Sequence, residues 1–338
     1  MMRRIAVSLG ALAVKAVLTL FGLLLVTFLI ARVVPIDPVL AVVGDRASPE
    51  VYRRVRAEMG LDRPVAVQFW RYADIVARGD LGNSALTRSP VTADIARFFP
   101  ATLELATAAT LLGLLLGVPA GVVAAARHNR WPDHALRILS LFGYSVPVFW
   151  LGLMALLLFY ADLGWAAGPG RLDPWLDDMV PARTGFVVID AALAGNGAVL
   201  ASALRHLALP ALVLGYFSMA YISRMTRSLM LEQLGQDYIT VARAKGLSEM
   251  QVLWRHALGN VWVPLATVAT LAYAQLLEGS VLTETVFAWP GIGRYITGSL
   301  LSLDMNAVMG GTLVVGLVFI LLNLLVEGIY PWLDPRAR

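Results

Sequence analysis

Long apolar stretches alternate with short polar ones along the chain. Apolar runs near 9–31, 101–126, 136–160, 206–223, 262–284 and 307–330 each approach the ~20 residues that a helix needs to cross a bilayer core at about 1.5 Å per residue. They predict an all-α polytopic membrane protein with about six transmembrane helices. The fourth run is the weakest, short and interrupted by Pro210. The first follows MMRR and extends from Ile5 to Ile30. A cleaved signal peptide would carry only about 7–15 apolar residues, so this run reads as an uncleaved span.

Between the first two runs, "SPEVYRRVRAEMG" offers Ser48 as an N-cap, Pro49 at the first helical position and Gly60 past the end. "VAVQFWRYADIVARG" then places Phe69, Tyr72, Ala73 and Val76 on one helical stripe. The segment 32–99 therefore reads as a small helical region, either a lid over helix ends or a contact surface.

"DYITVARAKGLSEMQVLWRHALGN", from Asp237 to Asn260, is polar between two long apolar runs. Asp237 suits a cap for a two-turn helix from Tyr238 to Lys245, with Arg243 and Lys245 at the end favoured by the helix dipole. Gly246 suits the left-handed stop. Ser248 and Gln251 have capping-box spacing, and Met250, Leu253, Trp254, Ala257 and Leu258 form an apolar stripe. Isolated helices under about 12–15 residues are marginal in water. A short helix offering alanines and cations suits a partner's grip; a turn lying on the membrane surface would use the same residues.

Ala109, Gly113, Gly117, Gly121 and Ala125 recur every fourth residue in the second run. Small residues let backbones approach closely in lipid, so this face packs on a helix of this chain or another. Prolines at 119, 147, 210 and 264 interrupt four runs, as in a gated pathway or in many static bundles.

Composition sharpens the class. Of 338 residues 58% are hydrophobic and 15% charged, against about 45–50% and about 25% in soluble domains. Cysteine is absent, which removes disulfides and thiolate metal sites. A net charge of +4 without a basic block gives no nucleic-acid footprint. Arg3, Arg4, Arg127, Arg130, Arg137, Arg224, Arg227, Arg243, Lys245, Arg255, Arg336 and Arg338 fall on one side of a six-span chain. That side, with both termini, is expected to be cytoplasmic. Segment 32–99 lies opposite despite its arginines, because long loops escape this bias, and the acidic loop 161–200 joins it there.

No GxxxxGK[ST], HExxH or GxSxG pattern occurs, so no ATPase or hydrolase of its own is expected. His128, His134, His206 and His256 are scattered near span edges, where surface roles are expected rather than metal ligation. Glu278 and Glu284 fall late in the fifth span. Carboxylates in spans face a cavity or partner by default, which makes Glu278 the pathway candidate and the residue a proton-coupled secondary transporter would need. Both could instead lie at the outer interface.

"GDLGNS" (79–84), "PATLEL" (100–105), "GYSVPVFWLG" (143–152), "ARAKGLS" (242–248), "RHALGN" (255–260) and "TETVFAWPGIGRY" (283–295) occur in one order along nearly the whole chain. With them the chain resembles the B-type permease subunits of ABC importers for dipeptides, oligopeptides and related solutes such as nickel or glutathione. The resemblance implies residues 1–31 as cytoplasmic N-terminus and first span, 32–99 as an extracytoplasmic helical region, and 100–338 as a permease core with its coupling loop at about 225–261. In that family the short helix of the loop docks on a cytoplasmic ATPase. Carried over here, the coupling residues are Tyr238, Ala242, Arg243, Ala244, Lys245, Gly246 and Leu247. Thr240, Val241 and Ala242 stand where the general pattern has Glu-Ala-Ala, and Gly259 where it has proline; the peptide branch departs similarly. The resemblance further implies a bacterial inner-membrane subunit without cofactor or catalysis. Its expected partners are a second homologous permease, two ATP-binding subunits, an extracytoplasmic binding protein and a peptide or similar solute.

Overall fold

The computed structural model of the protein describes residues 2–33, 39, 43, 47–58 and 60–333. Among the described residues there are helices and no strand, with one isolated bridge between Asn83 and Pro90. The chain divides into two compact units, one comprising residues up to Phe99 with Ile292–Leu324, the other centred on Pro100–Gly291.

The first unit holds α1 (Met2–Val33), α2 (Pro49–Glu58), α3 (Val65–Ala77) and the start of α4 (Val91–Ala126). Ser48 caps α2 as its sequence predicts, its Oγ accepting the Val51 N–H at 3.3 Å, and Gly60 stops the turn at φ +68°. α3 leans its predicted stripe on α1. Phe69 meets Phe28 edge-on, rings 5.5 Å apart, and the Tyr72 and Thr27 hydroxyls lie 3.2 Å apart. Aromatic pairs of this kind add about 0.5–1.5 kcal/mol beyond burial.

"GDLGNS" makes a loop that needs two left-handed glycines, Gly79 at φ +79° and Gly82 at φ +75°. Ser84 Oγ donates to the buried Asp304 carboxylate at 2.6 Å, and Asn306 Nδ2 donates to the Asn83 carbonyl at 3.0 Å. Asp94 accepts from Thr87 Oγ1 at 2.5 Å and Tyr295 OH at 3.0 Å. These bonds join the loop to α4 and to two helices later in the chain, Ile292–Leu301 and Met305–Leu333.

The second unit continues α4 and adds α5 (Trp131–Ser145), α6 (Val148–Asp162), α7 (Val187–Leu193), α8 (Gly197–Leu234), α9 (Asp237–Ala244), α10 (Glu249–Asn260) and α11 (Trp262–Val286). The remaining helices, α12 (Ile292–Leu301) and α13 (Met305–Leu333), belong with the first unit through their described residues up to Leu324. Five of the predicted spans each fall on one helix, and the third, 136–160, falls on two. Among the described residues Val91–Ala126, Gly197–Leu234 and Met305–Leu325 are individually long and apolar enough to cross a bilayer.

Two expectations need correction. The fourth span, read as short, is α8, at 38 residues the longest helix described. Its start is set by Asn196, whose side chain accepts the Val199 N–H at 3.2 Å, and Pro210 is buried within it without breaking it. The third span is not one rod: α5 and α6 meet at 99°. Val146 before Pro147 is extended (φ −94°, ψ 127°), as the clash with a following proline ring demands. Of the four prolines, Pro119 and Pro210 sit inside continuous helices. Pro147 lies at the 99° bend, and Pro264 follows a 67° bend between α10 and α11.

The small-residue face of α4 packs on α8 of the same chain. A Cβ at Gly117 would lie 3.0 Å from the Met219 carbonyl oxygen, and one at Gly121 2.6 Å from that of Ser223. Before α8, the buried Asp190 carboxylate accepts from the N–H groups of Arg183 at 3.1 Å, Thr184 at 2.9 Å and Gly185 at 3.1 Å, and from Thr184 Oγ1 at 2.8 Å. Burial by itself would raise its pKa; the hydrogen bonds from Thr184, Gly185 and Arg183 outweigh burial and hold it below the usual aspartate value.

Candidate functional site

α9 is the two-turn helix its sequence predicts, shifted by one residue. Gln236 occupies the cap position without a side-chain bond, and Asp237 lies inside the first turn, where its charge favours the helix dipole. Tyr238 OH donates to Gln233 Oε1 at 2.9 Å, tying α9 to the end of α8. Gly246 stops the helix at φ +80° with open space around it.

The helix has two faces of opposite character. Ile239 and Ala242, three residues apart, are 0% and 6% exposed. They enter a core with Val118 and Val122 of α4, Ile222 and Met230 of α8, and Leu265 of α11; Tyr238 and Leu247 are half-buried against it. Thr240, Val241, Arg243, Ala244, Lys245 and Gly246 are exposed. Ala242, expected on the outer face with Ala244, therefore faces inward: one helical turn separates it from Ile239, so the two share a side. Arg243 pairs with Glu249 (Nε–Oε1 2.8 Å, Nη2–Oε2 3.3 Å), strapping α9 to α10. With 45% and 64% exposure, such a pair contributes about 0–1 kcal/mol.

α10 opens with the predicted capping box between Ser248 and Gln251, both bonds formed. The predicted apolar stripe is the buried one only in part: Ala257 and Leu258 are buried and Leu253 packs half-buried against the same core. Val252–Ala257 is wound as a π-helix, so Val252 and Ala257, five residues apart, are both fully buried. Met250 is 67% exposed and Trp254 38%. The 3.6-residue period used to draw the stripe does not hold across that turn.

Buried ion pairs brace the same unit. Asp133, at the start of α5, receives Arg227 of α8 through Nε at 2.5 Å and Nη2 at 2.8 Å, and the Asn129 N–H at 2.9 Å. Glu104 of α4 accepts from Arg171 Nε at 2.9 Å and the Val188 N–H at 2.9 Å; Arg171 also donates to the Gly185 carbonyl at 2.7 Å. "PATLEL" and "TETVFAWPG" converge here. Thr102 Oγ1 donates to Glu284 at 2.6 Å, and Trp289 Nε1 to the Ala101 carbonyl at 2.8 Å.

Glu284 is 0% exposed and also accepts from Ser280 Oγ at 3.2 Å. A Cβ at Gly291 would lie 2.5 Å from both its carboxylate oxygens, so only glycine fits there. The Glu284 carboxylate is thus held inside the unit, closed off from any open cavity. His206 likewise departs from its expected surface role: it is buried, with Nδ1 2.9 Å from the Ser202 carbonyl oxygen.

Glu278 falls within α11, and its side chain lies outside the described residues. One turn away, Gln275 is exposed in the middle of the span. With Tyr144, Val148, Leu214, Phe217, Leu276 and Gly279 it lines a cavity of about 340 Å³ at the α5–α6 bend. Sequence reasoning passed over Gln275, although a lone amide in an apolar run is itself a signal. It also missed the Arg171–Glu104 and Arg227–Asp133 pairs, whose members lie 67 and 94 residues apart.

Comparison with known proteins adds the family. Residues 117–338 match the model for the binding-protein-dependent transport system inner membrane component, and residues 8–106 match that for the N-terminal part of the same membrane component. The chain is 48% identical over 320 residues to a probable D,D-dipeptide transport system permease protein of Escherichia coli K12, covering 95% of this chain and 94% of that one. It is 43% identical over 321 residues to a di/tripeptide transport system permease protein of Pseudomonas aeruginosa, covering 95% of each. With a dipeptide transport system permease protein of Haemophilus influenzae it shares 42% identity over 323 residues, 95% of this chain and 96% of that one.

Proposed function

The chain belongs to the family of binding-protein-dependent transport system inner membrane components, and on that premise we propose that it forms half of the membrane pathway of an ATP-driven importer for dipeptides or oligopeptides. The substrate class follows the names its relatives carry. A second, homologous permease subunit supplies the other half. Two cytoplasmic ATP-binding subunits drive the cycle, and a binding protein delivers solute to the opposite face, where segments 32–99 and 161–200 receive it. The termini and α9 lie on the cytoplasmic side. The chain itself catalyses no reaction.

The observation that carries this reading is the divided surface of α9. Its outer face (Thr240, Val241, Ala244, Lys245) is open to a partner, while Ile239 and Ala242 belong to a core continuous with α4, α8 and α11. Close-packed interiors transmit displacement rather than absorb it. Closure of the ATPase pair pulls α9, and the bends at Pro147 and before Trp262 are where the spans yield. Alternation between inward- and outward-facing states then follows from the ATPases' differential contact with the two. Gln275, with Glu278 on the same helix, is the pathway candidate.

Reconstitution of the chain with its partner subunits in liposomes tests the proposal. Peptide uptake is expected to require both ATP and the binding protein. Uptake by this chain alone, driven by a pH gradient without ATP, would replace it with a proton-coupled transporter.

A further inference from the structure

A cavity of about 310 Å³ opens between α5 and α8, lined by Leu136, Arg137, Ser140, Leu141, Tyr144, Arg224 and Arg227. Its three guanidinium groups are not equivalent. Arg227 is committed to the buried Asp133 carboxylate. Arg224 lies 4.6 Å above the Tyr144 ring and donates to its hydroxyl at 3.4 Å, and no described carboxylate pairs with it or with Arg137. Both are exposed, so the groove carries two uncompensated positive charges.

Apolar surface adjoins those charges. Ile138, Leu141 and Phe142 on α5 are 68%, 68% and 52% exposed, and Trp131 at the start of α5 is 75% exposed. Exposed tryptophan at a helix end and long apolar flanks are the marks of a membrane interface. Arg224 lies just past the apolar core of α8, and Arg137 one turn and a half into α5, positions from which a long arginine side chain can extend toward lipid headgroups.

We propose that this groove is a binding site for one anionic phospholipid, its phosphate held between Arg137 and Arg224 and one of its acyl chains laid along Leu141 and Tyr144. Charge complementarity selects the occupant: a zwitterionic lipid brings its own ammonium group and gains less from two unpaired arginines. The inference depends only on the inner-membrane location of the family, not on the identity of the transported solute.

The test is native mass spectrometry of the assembled importer, taken from membranes of mixed phosphatidylglycerol and phosphatidylethanolamine. Retention of phosphatidylglycerol in preference to phosphatidylethanolamine is expected. The Arg137→Gln/Arg224→Gln variant should lower phosphatidylglycerol retention by about 30-fold, with phosphatidylethanolamine retention unchanged. Arg137→Lys/Arg224→Lys keeps the charge and should keep most of the retention, which guards against misfolding in the neutral variant. Equal retention of the two lipids by the unmodified protein, or unchanged retention by the glutamine variant, would overturn the proposal. Displacement of phosphatidylglycerol by millimolar inorganic phosphate would assign the site to free phosphate instead. Lipid bound to the isolated chain but lost on assembly would show that a partner subunit covers the groove, and would also overturn it.

Discussion

Val241 and Ala242 are neighbours in sequence on opposite faces of α9, so the same charge placed at each should have opposite consequences. Val241 is 51% exposed. Burying a whole valine side chain contributes about 1.5–3 kcal/mol, so Val241→Glu forfeits about 1 kcal/mol of burial while its carboxylate stays hydrated. The subunit should insert, fold and melt within a few degrees of the parent. At a docking surface, however, losing a central apolar contact costs about 2 kcal/mol or more, about 30-fold in affinity. Co-purification of the ATP-binding subunits and peptide-stimulated ATP hydrolysis should therefore collapse. Ala242 is 6% exposed in an all-apolar core. An unpaired carboxylate there costs several kcal/mol, so Ala242→Glu should fail to accumulate as folded protein at all. Fluorescence-detected size exclusion separates the two outcomes from loss of coupling. Normal coupled transport by Val241→Glu, or a well-folded Ala242→Glu subunit, would refute the assignment of the two faces.

Other regions yield sharper structural tests. Gly121→Ala should destabilise the α4–α8 contact by about 1–3 kcal/mol, because the new methyl meets the Ser223 carbonyl and Thr226 Cβ at 2.6 Å; a detergent melting curve measures it. Arg171→Met leaves Glu104, 6% exposed, without its counter-ion and should cost about 3–5 kcal/mol, while Arg171→Met with Glu104→Gln should recover much of that loss in the same assay. For Asp190 the lowered pKa fixes the sign: its contribution is present above the unfolded value and disappears as pH falls through the still lower folded value. Amide exchange at Arg183–Gly185 should stay slow relative to Asp190→Asn from pH 8 to about 5 and converge with that variant only below about pH 4.

Sequence alone determined what neighbours along the chain decide. Ser48 with Pro49 and Gly60, the Ser248–Gln251 box and the Gly246 stop were all legible, since each is a contact within a few residues or a single backbone angle. The six apolar runs were legible for the same reason, as length and hydropathy are properties of the segment itself. Tertiary structure decided the rest. It identified α8 as the partner of the Gly113–Gly121 face, turned Ala242 inward and Val241 outward, and locked Glu284 against Thr102 and Gly291. It also paired Arg171 with Glu104 and bent the third span by 99°. Those outcomes depend on the rotation of each helix about its axis and on which helix lies beside it. A nearly uniform apolar run carries little of that information; the π turn at Val252–Ala257 changed even the period by which a buried face is drawn.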